Sequence, residues 1–188
     1  AVKAFQKVRQ GDPLDPNTQI GSQINEAQIK KIASYMEIAK QEGATIACGG
    51  KRAAEGALKD GCFFEPTLIT NVNNKMRIAQ EEIFGPVAVV IKFKTEDEVI
   101  AMANDSTYGL GGAVWTQDIT RAMKVARSVE TGRMWVNTYN QLPAGAPFGG
   151  YKNSGIGRET DLSILDAYTQ KKNIFINLNT APSGFYPA

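Results

Sequence analysis

The sequence has no histidine and only two cysteines, Cys48 and Cys62, among its 188 residues. Without an imidazole, a Ser–His or Cys–His nucleophile pair cannot be assembled within the chain. A structural zinc centre wants four Cys or His ligands, so two thiols exclude that too, and no metal site is expected. Long apolar runs are also missing. The longest, from Val87 to Ile91, falls far short of the ~20 residues that cross a bilayer. Neither sign of charge dominates: 21 Lys and Arg interleave with 19 Asp and Glu for a net charge of +2. That balance leaves no electrostatic footprint for nucleic acid or an anionic membrane. The first residues show no hydrophobic leader, and the two cysteines read as reduced thiols, so the cytoplasm is the expected compartment.

What is present has the composition of an ordinary globular protein, 43% hydrophobic and 21% charged, in a chain long enough for a substantial core. Val2, Phe5 and Val8 predict a helix over residues 1–10, stopped by Gly11. No N-cap precedes it, so a natural beginning further upstream is expected. "GDPLDPNTQIG" reads as a loop. A second helix is predicted over 26–42, with Ile29, Ile32, Met36 and Ala39 on one face, Asn25 as N-cap and Gly43 at its end. "TIACGG" predicts a strand, "KRAAEGALKDGC" a surface excursion and "FEPTLIT" an extended segment.

From residue 87 the pattern is regular. "VAVVIKF" reads as a strand covered on both faces. Thr95 and Glu98 form a capping box ahead of the helix "EDEVIAMA", and "GAVWT" is a strand. A helix follows with Ile119, Ala122, Ala126 and Val129 along one side, then the strand "GRMWVNT". The β-α-β-α-β order with short links predicts an α/β fold with a parallel sheet and right-handed crossovers. "LSILDAYTQ" reads as helical, and "KKNIFINL" as a strand whose open edge suits pairing with a second subunit.

Directly after the strand "GRMWVNT" comes "PFGGYKNSGIGRE", residues 147–159, rich in glycine. Its Gly150-to-Gly155 spacing suits a Walker A loop, but Ile156 and Gly157 stand where Lys and Ser/Thr are required. Gly155-Ile156-Gly157 begins a dinucleotide fingerprint, but Thr160 replaces the third glycine. Neither phosphate motif is satisfied, and the residues alone leave a tight structural connection and an active-site wall both open.

"EEIFGPV" (81–87), "NDSTYGLGGAVWT" (104–116), "GRMWVNTYN" (132–140) and "PFGGYKNSGIGRE" (147–159), in that order, resemble the NAD(P)-dependent aldehyde dehydrogenases. The resemblance runs from "GDPLDPNTQIG" to the last strand. The "YNQLPAGAPFGGYK" loop and the "GFY" ending look closest to the acetaldehyde or short-chain aliphatic branch. The resemblance implies an oxidoreductase in which a cysteine thiolate attacks an aldehyde, hydride passes to NAD or NADP, and a glutamate activates the water that releases the acid. The nucleophile's "G-Q-x-C" context does not occur here. It is expected upstream with the base glutamate and the Rossmann domain. On this reading residues 1–168 are the C-terminal part of a catalytic domain, and 169–188 an oligomerisation tail joining subunits into a dimer or tetramer. The chain alone is expected to be inactive. The alternative is a stand-alone, non-catalytic module kept for assembly or partner binding.

The resemblance also implies roles. Glu82 corresponds to the carboxylate that accepts from the nicotinamide ribose hydroxyls, and Phe84 to the aromatic beside the nicotinamide. Gln28 and Lys31, one turn apart, match positions approaching the same ribose. Phe148 resembles the aromatic wall of the substrate tunnel, and Leu142 a second lining position. Arg158 and Glu159 are expected to form an anchoring ion-pair and hydrogen-bond element, and in some family members the glutamate matching Glu159 is drawn into proton transfer. Cys48 and Cys62 are expected to be structural, since nothing beside either would lower its pKa.

Overall fold

The structure is a computed structural model and describes residues 1–181 and Gly184. Residues 1–107 with 127–130 make one compact unit, and residues 108–126 with those from 131 onward make a second.

The first unit contains α1 (Val2–Phe5), α2 (Glu26–Gln41), β1 (Thr45–Cys48), β2 (Thr67–Thr70), α3 (Arg77–Gln80), β3 (Val87–Val89) and α4 (Glu96–Asn104). Helix α2 forms where the apolar period predicts it. The Asn25 side chain accepts from the Gln28 amide at 3.0 Å, satisfying one of the free N–H groups of the first turn. Its apolar face packs Ile29, Ile32, Tyr35, Met36 and Ala39 against Phe64, Ile69 and Ile83. β1 and β2 are antiparallel with an irregularity between Ile46 and Cys48, and β2 and β3 are parallel. α4 begins on the expected capping box: Glu98 N donates to the Thr95 hydroxyl at 3.2 Å, and Thr95 N to the Glu98 carboxylate at 3.4 Å.

The second unit contains β4 (Tyr108–Gly109), β5 (Gly111–Val114), most of α5 (Ile119–Ser128), β6 (Arg133–Val136), β7 (Tyr151–Lys152) and α6 (Leu165–Tyr168). β5 and β6 run parallel, pairing Gly111 with Arg133 through to Val114 with Val136, as a β-α-β connection requires. β4 pairs antiparallel with β7.

The fold is α/β with parallel strand pairs, and four details depart from the sequence pattern. The strand expected over "VAVVIKF" covers only Val87–Val89 and is not covered on both faces, with Ala88, Val90 and Phe93 exposed. The first helix covers only Val2–Phe5, because Arg9 N turns to the Gln19 side chain at 3.0 Å and Gln10 bridges to Ile20. The parallel pairs β2–β3 and β5–β6 lie in separate ladders, so the parallel partner of β3 is the strand before it. Residues 171–178 form no ladder among the described residues. Ile174, Phe175, Ile176 and Leu178 are each 71–89% exposed. Phe185 and Tyr186 of the "GFY" ending lie outside the described residues.

Ile32 is fully buried at the centre of the α2 face. Ile32→Ala should lower the free energy of unfolding by about 2–5 kcal/mol in a urea titration, the range for deleting a buried aliphatic side chain. A loss below about 1 kcal/mol would contradict the placement of this core.

Candidate functional site

In the first unit, α2 grips the loop between α3 and β3. Gln28 Nε2 donates to the carbonyl oxygens of Ile83 at 3.1 Å and Phe84 at 2.6 Å. Lys31 Nζ donates to the Glu82 carbonyl at 3.2 Å and stands 5.4 Å from the centre of the Phe84 ring. Tyr35, at the buried end of the same face, donates its hydroxyl to the Glu81 carboxylate at 2.9 Å. Positions 28, 31 and 35 share one helix face because they are separated by three and four residues.

Two further constraints fix this loop. Phe84 has a φ of 56°, a left-handed conformation that costs a bulky residue on the order of 1–3 kcal/mol and persists only when its surroundings impose it. At Gly85 a Cβ would come within 2.6–2.7 Å of Ile32, so the loop lies directly on the core. With the backbone held and Ile83 buried beneath, the Phe84 ring remains 65% exposed, and the Glu82 side chain is also exposed. The loop thus leaves a carboxylate and an aromatic ring exposed two residues apart. A carboxylate can accept from two hydroxyls, and an aromatic ring can pack a flat heterocycle.

Glu81 also accepts from Arg77 Nε at 2.8 Å and Nη2 at 3.0 Å. The Arg77 hydrogen bonds, with that from Tyr35, hold the Glu81 carboxyl below the usual carboxylate range. Gln28 and Lys31, expected from the resemblance to approach the ribose, thus join Glu82 and Phe84 through the loop carbonyls. Tyr35, Arg77 and Glu81 were not singled out in the sequence, although the Arg77–Glu81 spacing of four residues is an ion-pair signal.

In the second unit, "PFGGYKNSGIGRE" folds back on itself. Phe148 and Glu159 exchange backbone hydrogen bonds of 2.9 and 2.7 Å. The glycines permit close backbone approach. A Cβ on Gly149 would overlap the Gly157 carbonyl, and one on Gly132 would overlap the Gly149 carbonyl. Arg158 Nη1 donates to the carbonyls of Gly150 at 2.9 Å and Gly157 at 2.8 Å. Of the expected Arg158–Glu159 anchoring element, the hydrogen bonds are present and run to the backbone: Arg158 staples the loop from inside, and Glu159 contributes its peptide group. Phe148, Glu159, Leu110, Ser154 and Tyr168 line a cleft of about 350 Å³. Leu142 lies half exposed on the preceding loop.

The thiols of Cys48 and Cys62 are free and half-buried. Partial burial and the neighbouring Glu26 carboxylate, 3.4 Å from its Sγ, push the Cys62 thiol up, away from the reactive thiolate. A larger hollow of about 500 Å³ in the first unit borders Cys48, Lys51 and Glu65 but none of the candidate residues.

Because the Glu81 carboxyl is depressed in the folded state, its anchoring is present above the ordinary carboxylate pKa and is lost as pH falls through the lower folded value. In a carboxyl-carbon NMR titration Glu81 should have its midpoint below that of a free glutamate, ~4.3. Arg77→Met should move it upward; an unchanged midpoint would contradict the assigned cause.

The profile of the Aldehyde dehydrogenase family matches residues 1–174. An acetaldehyde dehydrogenase of Pseudomonas aeruginosa is 47% identical over 186 residues, covering 98% of this chain and 37% of that protein. A betaine aldehyde dehydrogenase of Staphylococcus aureus, solved in complex with NAD+, is 47% identical with a TM-score of 0.93 over 100% of this chain and 37% of its own. An apo mutant of the same enzyme gives a TM-score of 0.94 at 47% identity, with the same shares of each chain. The chain therefore spans 37% of the length of these relatives. By sequence and by fold, the chain belongs to the aldehyde dehydrogenase family.

Proposed function

We propose that this chain is the C-terminal part of the catalytic domain of an NAD(P)-dependent aldehyde dehydrogenase that oxidises an aldehyde to a carboxylic acid. The observation that carries the reading is the 81–85 loop. It is fixed by α2 on its backbone side and exposes the Glu82 carboxylate and the Phe84 ring on the other. Glu82 accepts from the nicotinamide ribose hydroxyls, Phe84 packs beside the nicotinamide, and Gln28 and Lys31 keep that loop in place. The bound NAD or NADP supplies hydride acceptance. The nucleophilic cysteine, the base glutamate and the Rossmann domain come from upstream of residue 1, and the thiols of Cys48 and Cys62 take no part.

Phe148 and Leu142 line the aldehyde path, where an apolar surface favours aliphatic substrates. The name of the Pseudomonas aeruginosa relative supports acetaldehyde or another short aliphatic aldehyde, as does the "YNQLPAGAPFGGYK" loop. Residues 169–188 form an oligomerisation tail. The exposed Ile174, Phe175, Ile176 and Leu178 are covered when this segment adds to the sheet edge of a second subunit, giving a dimer or tetramer in the cytoplasm. Glu82 and Phe84 speak against a purely structural module, which needs no exposed carboxylate beside an aromatic ring held in left-handed geometry.

Most cofactor contacts belong to the upstream half, so titrating NAD+ into this chain alone should give no calorimetric signal. Micromolar binding would overturn the division of labour. In the full-length protein, Glu82→Gln should raise KM for NAD+ roughly 10- to 100-fold, the weight of a lost charge-assisted hydrogen bond of ~1.5–3 kcal/mol. An unchanged KM would remove Glu82 from the cofactor site.

A further inference from the structure

We propose that Arg133 is the positioning residue that sets which aldehydes the substrate wall admits, because one guanidinium holds both ends of the loop that carries Leu142 and leads into Phe148. This rests on the reading above, in which those two side chains line the aldehyde path.

Arg133 opens β6, next to Gly132, where the returning chain approaches most closely. Its Nη1 donates to the Gln141 carbonyl at 3.1 Å. Its Nη2 donates to the carbonyls of Ala146 at 3.0 Å and Pro147 at 3.3 Å. The guanidinium carbon lies 5.6 Å from the centre of the Phe148 ring and 5.9 Å from that of Trp135. Trp135 Nε1 adds a second donor to the Gln141 carbonyl at 2.9 Å. The loop is therefore pinned at residue 141 and again at 146–147, where the Thr160 hydroxyl also donates to the Ala146 carbonyl; Gly145 N donates to the Thr160 carbonyl at 2.8 Å, so residues 142–144 form the arch between the pins.

The chemistry of the clamp explains why arginine is needed. The acceptors are backbone carbonyls contributed from both ends of an arch, and a planar fork with donors on separate nitrogens reaches them together. A lysine radiates its three donors from one nitrogen, so it reaches both ends less well than a fork with donors on separate nitrogens. The same cation lies near two aromatic faces, an attraction that favours the guanidinium over a neutral side chain. Phe148 is fixed through its peptide group by Glu159 and through its ring by Arg133. Leu142 has only the arch to hold it. Losing the fork loosens the arch at both ends and blurs the shape of the wall.

The test uses the full-length protein with acetaldehyde and hexanal as probes. Arg133→Lys, which keeps the charge and most of the stem, should change the ratio of kcat/KM for the two aldehydes at least tenfold while KM for NAD+ stays within about twofold. Discrimination of that size is what a few methylenes in a shaped apolar pocket supply. Trp135→Phe, which removes one of the two donors to Gln141, should shift the ratio in the same direction and by less. It decides the matter if the Arg133 variant does not fold. An unchanged ratio in a folded variant overturns the proposal. So does an equal loss for both aldehydes accompanied by a raised KM for NAD+, which would mark a general structural role. If the unaltered protein oxidises neither aldehyde, the functional reading itself falls and takes the proposal with it.

Discussion

The side-chain amide of Gln28 spans two successive carbonyls, those of Ile83 and Phe84, and the geometry of the 81–85 loop depends on that grip. A residue as bulky as phenylalanine does not adopt a left-handed backbone on its own preference. Here the conformation is over-determined: the amide holds two carbonyls, Lys31 holds a third, Ile83 is buried, and Gly85 lies against Ile32. The strain is offset by the core beneath it and leaves Phe84 and Glu82 facing outward. Stability and function are linked at this point, since the helix that supplies most of the core also supplies the clamp.

The second unit uses a similar device. Arg133 and Arg158 both spend their donors on backbone carbonyls, and glycines let the strands of chain come close enough to be reached. An arginine bound to carbonyls keeps its charge while fixing chain geometry, and its planar donors impose direction as well as distance. Both loops named by the family motifs are therefore held through the main chain, leaving the exposed side chains of Glu82, Phe84 and Leu142 outside the hydrogen bonds that hold them.

Much of this was legible in the sequence where the governing contacts are local. The Asn25 cap, the α2 core face and the Thr95–Glu98 capping box follow from spacings of a few residues, and each formed as expected. The glycines of 147–159 announced close packing for a chemical reason that needs no partner to be known. Contacts across long separations were not legible. Arg9 ends α1 by turning to Gln19, Gln28 meets carbonyls 55 and 56 residues away, and Arg158 chooses carbonyls over the adjacent carboxylate. Pairing β3 with β2 instead of the next strand likewise depends on tertiary packing, to which hydrophobic periodicity is blind. Motif resemblance pointed to Glu82 and Phe84 but could not supply the clamp that positions them.

The central claim is that the α2-held loop faces the cofactor, and a crystal structure of the full-length protein with NAD+ tests it most directly. The account predicts the Glu82 carboxylate within hydrogen-bonding distance of both nicotinamide ribose hydroxyls, the Phe84 ring against the nicotinamide, and Gln28 still bound to the Ile83 and Phe84 carbonyls. A cofactor bound with Glu82 and Phe84 both left in solvent would contradict it.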